Sequence, residues 1–343
     1  MRSALRRALT ALACAGLVAT GLGTTSAGAA VPPPTPGSLT RLSINGVYAS
    51  GVSSGGYMAT QLHVAYSSTV RGAGIFAAGP YGCARGDLNT AQLACMNNLY
   101  AINLAQLEQT ARDRAGQGRI DPVGNLSGDP VWLYHGRGDS TVKEPVNDAL
   151  AAFYRDFGSG VSYTRTSSAG HSWVSPLGPN PCASSYTPYL NTCGDDPEQA
   201  MLGHLFGGVS APASALNGKL IQFGQNAYAP GGNAAAIGMG ADGFAYVPKS
   251  CSGGASCRLM VALHGCLQSQ GTVGDRFMDK AHLNEYADTN AMVVLYPQAT
   301  ASWSLGNPNG CWNWWGYGGD ASYDVKAGKQ LQAVMAMVRA LGG

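Results

Sequence analysis

Gly51-Val52-Ser53-Ser54-Gly55-Gly56-Tyr57-Met58-Ala59 is the stretch on which the reading of this chain turns. It contains G-x-S-x-G, and its neighbours supply the strand-to-helix context that the motif needs. Upstream, Leu42–Ala49 reads as a strand. Downstream, Ser54–Tyr66 reads as a helix, with Met58, Leu62 and Ala65 at helical spacing. Glycines at 51 and 55 permit a sharp turn and a close approach of helix to strand. The turn lifts the Ser53 hydroxyl above the sheet, beside backbone N–H groups that favour developing negative charge. Ser53 is therefore the candidate nucleophile.

A serine nucleophile needs a base and a group that orients the base. The apolar strand Val131–Tyr134 runs into His135-Gly136-Arg137-Gly138-Asp139, which puts Asp139 in a loop before the amphipathic helix Lys143–Phe157. The strand Val161–Thr166 runs into Ala169-Gly170-His171, so His171 occupies the next such loop. Asp139 is the expected acid and His171 the expected base. The remaining histidines read differently. His63, His204 and His282 fall in helical segments and read as structural, and His135 as a loop-stabilising residue. His264 closes the apolar strand Arg258–Leu263 and opens His264-Gly265-Cys266, an H-G pair at a strand end. Such a loop offers a backbone N–H to an oxyanion. The expected oxyanion donors are the N–H groups of Ser54 and Cys266.

Composition narrows the setting. Of 343 residues only 12% are charged, about half the usual share. Arg2, Arg6 and Arg7, the apolar run Ala8–Leu22 and Ala27-Gly28-Ala29 read as an export signal over 1–30, too short for a membrane span. Its removal leaves 18 basic against 19 acidic residues, so no nucleic-acid partner is expected. A secreted, extracellular protein without membrane attachment follows. Cys14 leaves with the signal, and eight cysteines remain. An even number in an exported chain reads as disulfides. Local closure favours Cys83–Cys95, Cys182–Cys193, Cys251–Cys257 and Cys266–Cys311. No C-x-x-C pair or H-E-x-x-H occurs, so neither a metal nor a cofactor is expected. Val31–Gly37 reads as an extended, mobile, proline-rich lead-in, and 38–343 as one catalytic domain, expected to be a monomer. Alternation of strands and helices, closing on a helix over 322–341, implies a mostly parallel central sheet with helices on both faces.

Taken together, GVSSGGYMA (51–59), YHGRGDSTV (134–142), AGHSW (169–173), LHGCLQS (263–269) and CWNWWGY (311–317) resemble the catalytic domain of extracellular poly(3-hydroxybutyrate) depolymerases. The resemblance is to the circularly permuted α/β-hydrolase kind, in which the serine motif lies near the N-terminus and the oxyanion loop follows the histidine. It implies Ser53 as nucleophile, Asp139 as acid, His171 as base, Ser54 and Cys266 as oxyanion donors, and a Cys266–Cys311 bridge. It also implies a serine esterase acting on a short-chain polyester or oligoester, without a separate polymer-binding module. Trp312, Asn313, Trp314, Trp315 and Tyr317 crowd one Gly-rich loop and are the expected substrate-binding set, since aromatic faces suit an uncharged ester chain. A secreted acetyl or feruloyl esterase would share the triad. A non-catalytic binding protein on the same fold would not need it.

Overall fold

A computed structural model describes residues 30–343, so the expected signal over 1–30 and its Cys14 lie outside the described residues, Ala30 excepted. The main sheet has eight long strands: β1 (Ile44–Val52), β2 (Val70–Phe76), β3 (Pro130–Tyr134), β4 (Gly160–Thr164), β5 (Lys219–Gly224), β6 (Asp242–Val247), β7 (Cys257–Leu263) and β8 (Met292–Tyr296). Across the sheet they run β5-β6-β8-β7-β1-β2-β3-β4. All neighbours are parallel except β6, which is antiparallel to both β5 and β8. The chain thus enters the sheet at its middle. The N-terminal half builds outward from β1 on one side, and the C-terminal half fills the other side. This order is what a circularly permuted α/β-hydrolase sheet requires.

Apolar runs form the central strands because both sheet faces are covered. Side chains alternate between two cores. Leu259, Val261 and Leu263 of β7, with Val293 and Leu295 of β8, point into one core. Met260 and Ala262, with Met292, Val294 and Tyr296, point into the other. The first core is closed by helices α1 (Ser54–Ala65), α2 (Glu144–Asp156) and α4 (Lys329–Leu341), through residues such as Met58, Leu150, Phe153 and Val334. The second is closed by α3 (Pro197–Phe206) and by the segment around Leu283 and Tyr286. Every residue of α1 is buried, so it is a central helix and not a surface one, and its polar Thr60, Gln61 and His63 are satisfied by hydrogen bonds inside the protein.

Several expectations change. The lead-in Val31–Gly37 is extended but anchored: Thr35–Pro36 pairs with β5, and Gly37 N–H donates to Gln222 O at 2.9 Å. An edge is where a sheet tolerates proline. β5 and β6 were not anticipated at all. The C-terminal helix begins at Lys329, not at 322, because Asp320 accepts the Lys329 N–H and Asp324 turns inward to Arg114 at 2.7 Å. His282 stands just ahead of the helix Leu283–Thr289, with φ 56°, and not within it. Four disulfides are present: Cys83–Cys95, Cys182–Cys193, Cys251–Cys257 and Cys266–Cys311. Among the described residues no helix is long and apolar enough to cross a membrane.

The glycines of the serine motif are set by backbone contact. A Cβ at Gly51 would stand 2.3 Å from Gly55 O, and one at Gly55 would stand 2.2 Å from Leu263 O. Neither atom can move without parting α1 from β1 or β7. Gly55→Ala is expected to cost at least about 3 kcal/mol, in the range of severe core lesions. Equilibrium denaturation in urea, compared with Ala59→Gly on the same buried helix, measures it.

Candidate active site

Register brings the site together. Leu263 of β7 lies opposite Gly51 of β1, so the residues after each strand, Gly265-Cys266 and Val52-Ser53, emerge side by side. Asp139 and His171 follow β3 and β4 at the same carboxyl edge, where ligands bind in open α/β sheets. Ser53 takes φ 56° and ψ −123° at the head of α1, an unfavourable conformation for a residue with a side chain. It is held there by its N–H to Phe76 O at 3.0 Å and by its own carbonyl, which accepts from Tyr57 N–H at 3.0 Å.

Asp139 Oδ2 lies 2.7 Å from His171 Nδ1, and both side chains are buried. Asp139 Oδ1 accepts the N–H groups of Thr141 and Val142 at 2.8 and 2.9 Å. Burial pushes the Asp139 carboxyl up, but His171 and these backbone donors outweigh it and hold the group below the usual carboxylate range. An ionised Asp139 fixes the imidazole with its proton on Nδ1 and leaves Nε2 free. Ser53 and His171 both line one cleft of about 350 Å³, together with Cys266. No hydrogen bond joins Ser53 to His171 among the described residues. Such bonds are commonly loose before substrate arrives.

The loop His264–Cys266, expected to serve the oxyanion, is clamped from three sides. Ala299 N–H donates to His264 Nε2 at 3.1 Å, so the ring proton sits on Nδ1, which donates to Gly265 O at 2.7 Å. The same peptide unit carries Cys266 N–H. Because the peptide is planar and trans, pinning its carbonyl aims that N–H the opposite way. Gln268 Oε1 accepts Gly265 N–H at 2.7 Å, while its Nε2 donates to the carbonyls of Pro188 and Tyr189, each at 3.0 Å. The Cys266–Cys311 bridge supplies the third clamp. Gln268 was not singled out from sequence. Its signal lay inside LHGCLQS, but a glutamine's role depends on which loops surround it.

The aromatic loop divides in two. Trp314 and Trp315 line the cleft, with Trp314 stacked on Tyr57 at 3.9 Å between ring centroids. Contrary to expectation, Trp312, Asn313 and Tyr317 do not line the cleft, because their side chains are buried in contacts with the interior. Trp312 packs on His264. Asn313 Oδ1 accepts the N–H groups of Gly316 and Tyr317, both at 2.9 Å. Tyr317 O–H donates to Cys311 O at 2.9 Å. They shape the loop so that its neighbours can face the cleft. The large apolar side chains in solvent are elsewhere. Trp303 is 84% exposed, Leu99 68% and Tyr100 63%, with Tyr186 and Leu88 about half exposed. Leu88 lines the cleft, and the others belong to segments that contribute Met96, Ser185, Tyr189, Gly306 and Asn309 to it.

None of the protein-family models matches the chain. A poly(3-hydroxybutyrate) depolymerase of Delftia acidovorans is 42% identical over 296 residues, covering 84% of this chain but only 58% of that protein. A polyhydroxybutyrate depolymerase of Talaromyces funiculosus is 40% identical over 314 residues, covering 86% of this chain and 89% of that protein. Two solved structures superpose with a TM-score of 0.81 at 35% identity, over 89% of this chain and 98% of theirs: a PHB depolymerase from Penicillium funiculosum, and a serine-to-alanine PHB depolymerase complexed with an R3HB trimer.

His264 makes one solution property testable. Complete burial pushes its imidazole down to about 4 from an ordinary 6.5. The folded state therefore binds fewer protons than the unfolded state between those values. Stability from this group is full above about pH 6.5 and is lost as pH falls towards 4, to an extent of about 3 kcal/mol. Urea titrations at pH 7 and pH 4.5 should show that slope in the wild type and a correspondingly shallower one in His264→Gln, whatever that variant's stability at pH 7.

Proposed function

The chain belongs to the polyhydroxybutyrate depolymerase family, and from this premise we propose that it is a secreted serine esterase that hydrolyses poly(3-hydroxybutyrate) or a related short-chain polyester. The observation that carries the reading is the buried Asp139–His171 pair in the same cleft as the strained Ser53. In this proposal His171 Nε2 takes the Ser53 proton as Oγ attacks the ester carbonyl. The N–H groups of Ser54 and Cys266 hold the oxyanion. His171 then returns the proton to the departing alkoxide, leaving an acyl-enzyme on Ser53. Water, deprotonated by the same ring, releases the acid and restores the serine. Asp139 stays ionised throughout, which its depressed carboxyl favours.

The relative held with an R3HB trimer carries alanine in place of a serine, as expected where a serine performs the attack. Residues 1–30 would serve as the export signal and 38–343 as the catalytic unit. A cleft of about 350 Å³ walled by Leu88, Met96, Trp314 and Trp315 suits a few uncharged ester units. The exposed Trp303, Leu99, Tyr100 and Tyr186 supply apolar area where a solid polymer would rest.

Release of 3-hydroxybutyrate oligomers from a polymer film tests the assignment. Ser53→Ala, His171→Ala and the double variant should each lose several orders of magnitude in kcat, with the double no worse than the singles, because the residues act as one unit. Asp139→Asn should lose about 10⁴-fold through the wrong imidazole tautomer. A Ser53→Ala protein that keeps a substantial rate would reject the nucleophile. Trp303→Ala should lower film hydrolysis several-fold and leave turnover of a soluble p-nitrophenyl ester unchanged.

A further inference from the structure

Behind the His171 loop lies a second group of titratable side chains that the ester chemistry does not use. Asp196, Glu198 and His282 each offer one ligand atom, and these atoms lie within 4.8 Å of one another. His282 Nδ1 is 3.6 Å from Asp196 Oδ2 and 3.9 Å from Glu198 Oε2. Glu198 is fully buried and His282 is 6% exposed, yet Glu198 Oε2 and His282 Nδ1 have no hydrogen-bond partner. An unpartnered carboxylate oxygen and an unpartnered imidazole nitrogen, buried and turned towards the same point, are costly as they stand.

The carboxylate groups around this point are engaged by other donors. Trp173 Nε1–H donates to Glu198 Oε1 at 2.6 Å. Gln199 N–H donates to Asp196 Oδ1 at 2.9 Å, and Asp196 Oδ2, which faces the point, also accepts Tyr286 O–H at 2.7 Å. Outer hydrogen bonds of this kind orient the ligands of metal sites. We propose that Asp196, Glu198 and His282 form a structural binding site for a divalent transition-metal cation, zinc fitting best.

The donor set selects the ion. One imidazole nitrogen with two carboxylate oxygens suits zinc, whereas calcium takes six to eight oxygens and magnesium keeps most of its water. Bonds of about 2.0–2.1 Å in a tetrahedron put ligand atoms about 3.3–3.5 Å apart. The two separations from His282, 3.6 and 3.9 Å, reach that by a contraction of a few tenths of an ångström, while the pair of carboxylate oxygens, which lies within 4.8 Å, must close on the ion as it binds. The Asp196 side chain is 26% exposed, which gives the ion an entry and leaves a position for water. The site would cross-link the head of α3 to the segment ahead of Leu283–Thr289. Trp173, two residues beyond His171 and stacked on Phe76 at 4.2 Å, would be held by its bond to a metal ligand.

The test uses the mature protein, stripped with dipicolinate and titrated with zinc chloride by calorimetry, with Tm read in parallel. Two variants accompany it. Glu198→Gln keeps volume and the acceptor for Trp173. His282→Asn places at φ 56° a residue that tolerates it. The wild type should bind one zinc per chain and gain about 5 °C in Tm at a free zinc concentration about 100-fold above Kd. Both variants should bind at least 10-fold more weakly, with a Tm that zinc leaves unchanged. A stripped wild type with no saturable binding and no Tm response overturns the proposal, as does wild-type affinity in both variants, since the ion would then sit elsewhere. Should neither variant fold, the wild-type titration alone decides.

Discussion

The carbonyl oxygen of Leu263 occupies the place where a side chain on residue 55 would begin. This contact between the end of β7 and the first turn of α1 governs the arrangement of the site. It keeps two backbone segments from distant parts of the chain close together, which the proposed pairing of the Ser54 and Cys266 N–H groups at one oxyanion requires. Residues 51 and 55 cannot carry a Cβ, and Ser53 is left in a conformation that costs energy on its own. The parallel register of β7 with β1 makes the contact possible. The clamps on Gly265 make it persist.

The polar groups around the cleft are held by other polar groups and seldom by full charges. His264 is kept neutral by burial, with one nitrogen accepting and the other donating. Gln268 bridges two loops through three hydrogen bonds. Asp139 is the buried carboxylate in contact with His171, and it is compensated on both oxygens. A preorganised site of this kind does not reorganise when charge develops on the ester, which is where such sites derive most of their rate advantage.

Much of this was legible in the residues, because the decisive features are local. A serine between glycines, between an apolar strand and a helix, has one sensible backbone path. Asp139 and His171 declared themselves by following apolar strands. The features that stayed hidden depend on neighbours from elsewhere in the chain. Whether Trp312 or Trp315 faces the cleft is set by Gln330, Asn307 and Tyr317, which are hydrogen-bonded to the loop from inside. β5 and β6 sit at the antiparallel end of the sheet, with interrupted apolar patterns (KLIQFG and DGFAYV). Asp196, Glu198 and His282 meet only after α3 and the segment around Tyr286 close over the same face of the sheet.

Entry of the chain at the middle of the sheet also dictates a sequence of events. Residues 44–171 can assemble β1 to β4 with α1 and α2 as soon as they are available, and in doing so they set out the serine turn, Asp139 and His171. Yet β1 then presents a bare edge, because its partner on the other side is β7, some two hundred residues further on. An unpaired edge of this kind is a site for association with other chains. The half-sheet also lacks Cys266, and with it one arm of the proposed oxyanion hole. The partial fold is therefore both open-edged and incomplete at the site, and a single event, the docking of β7 against β1, ends both conditions together.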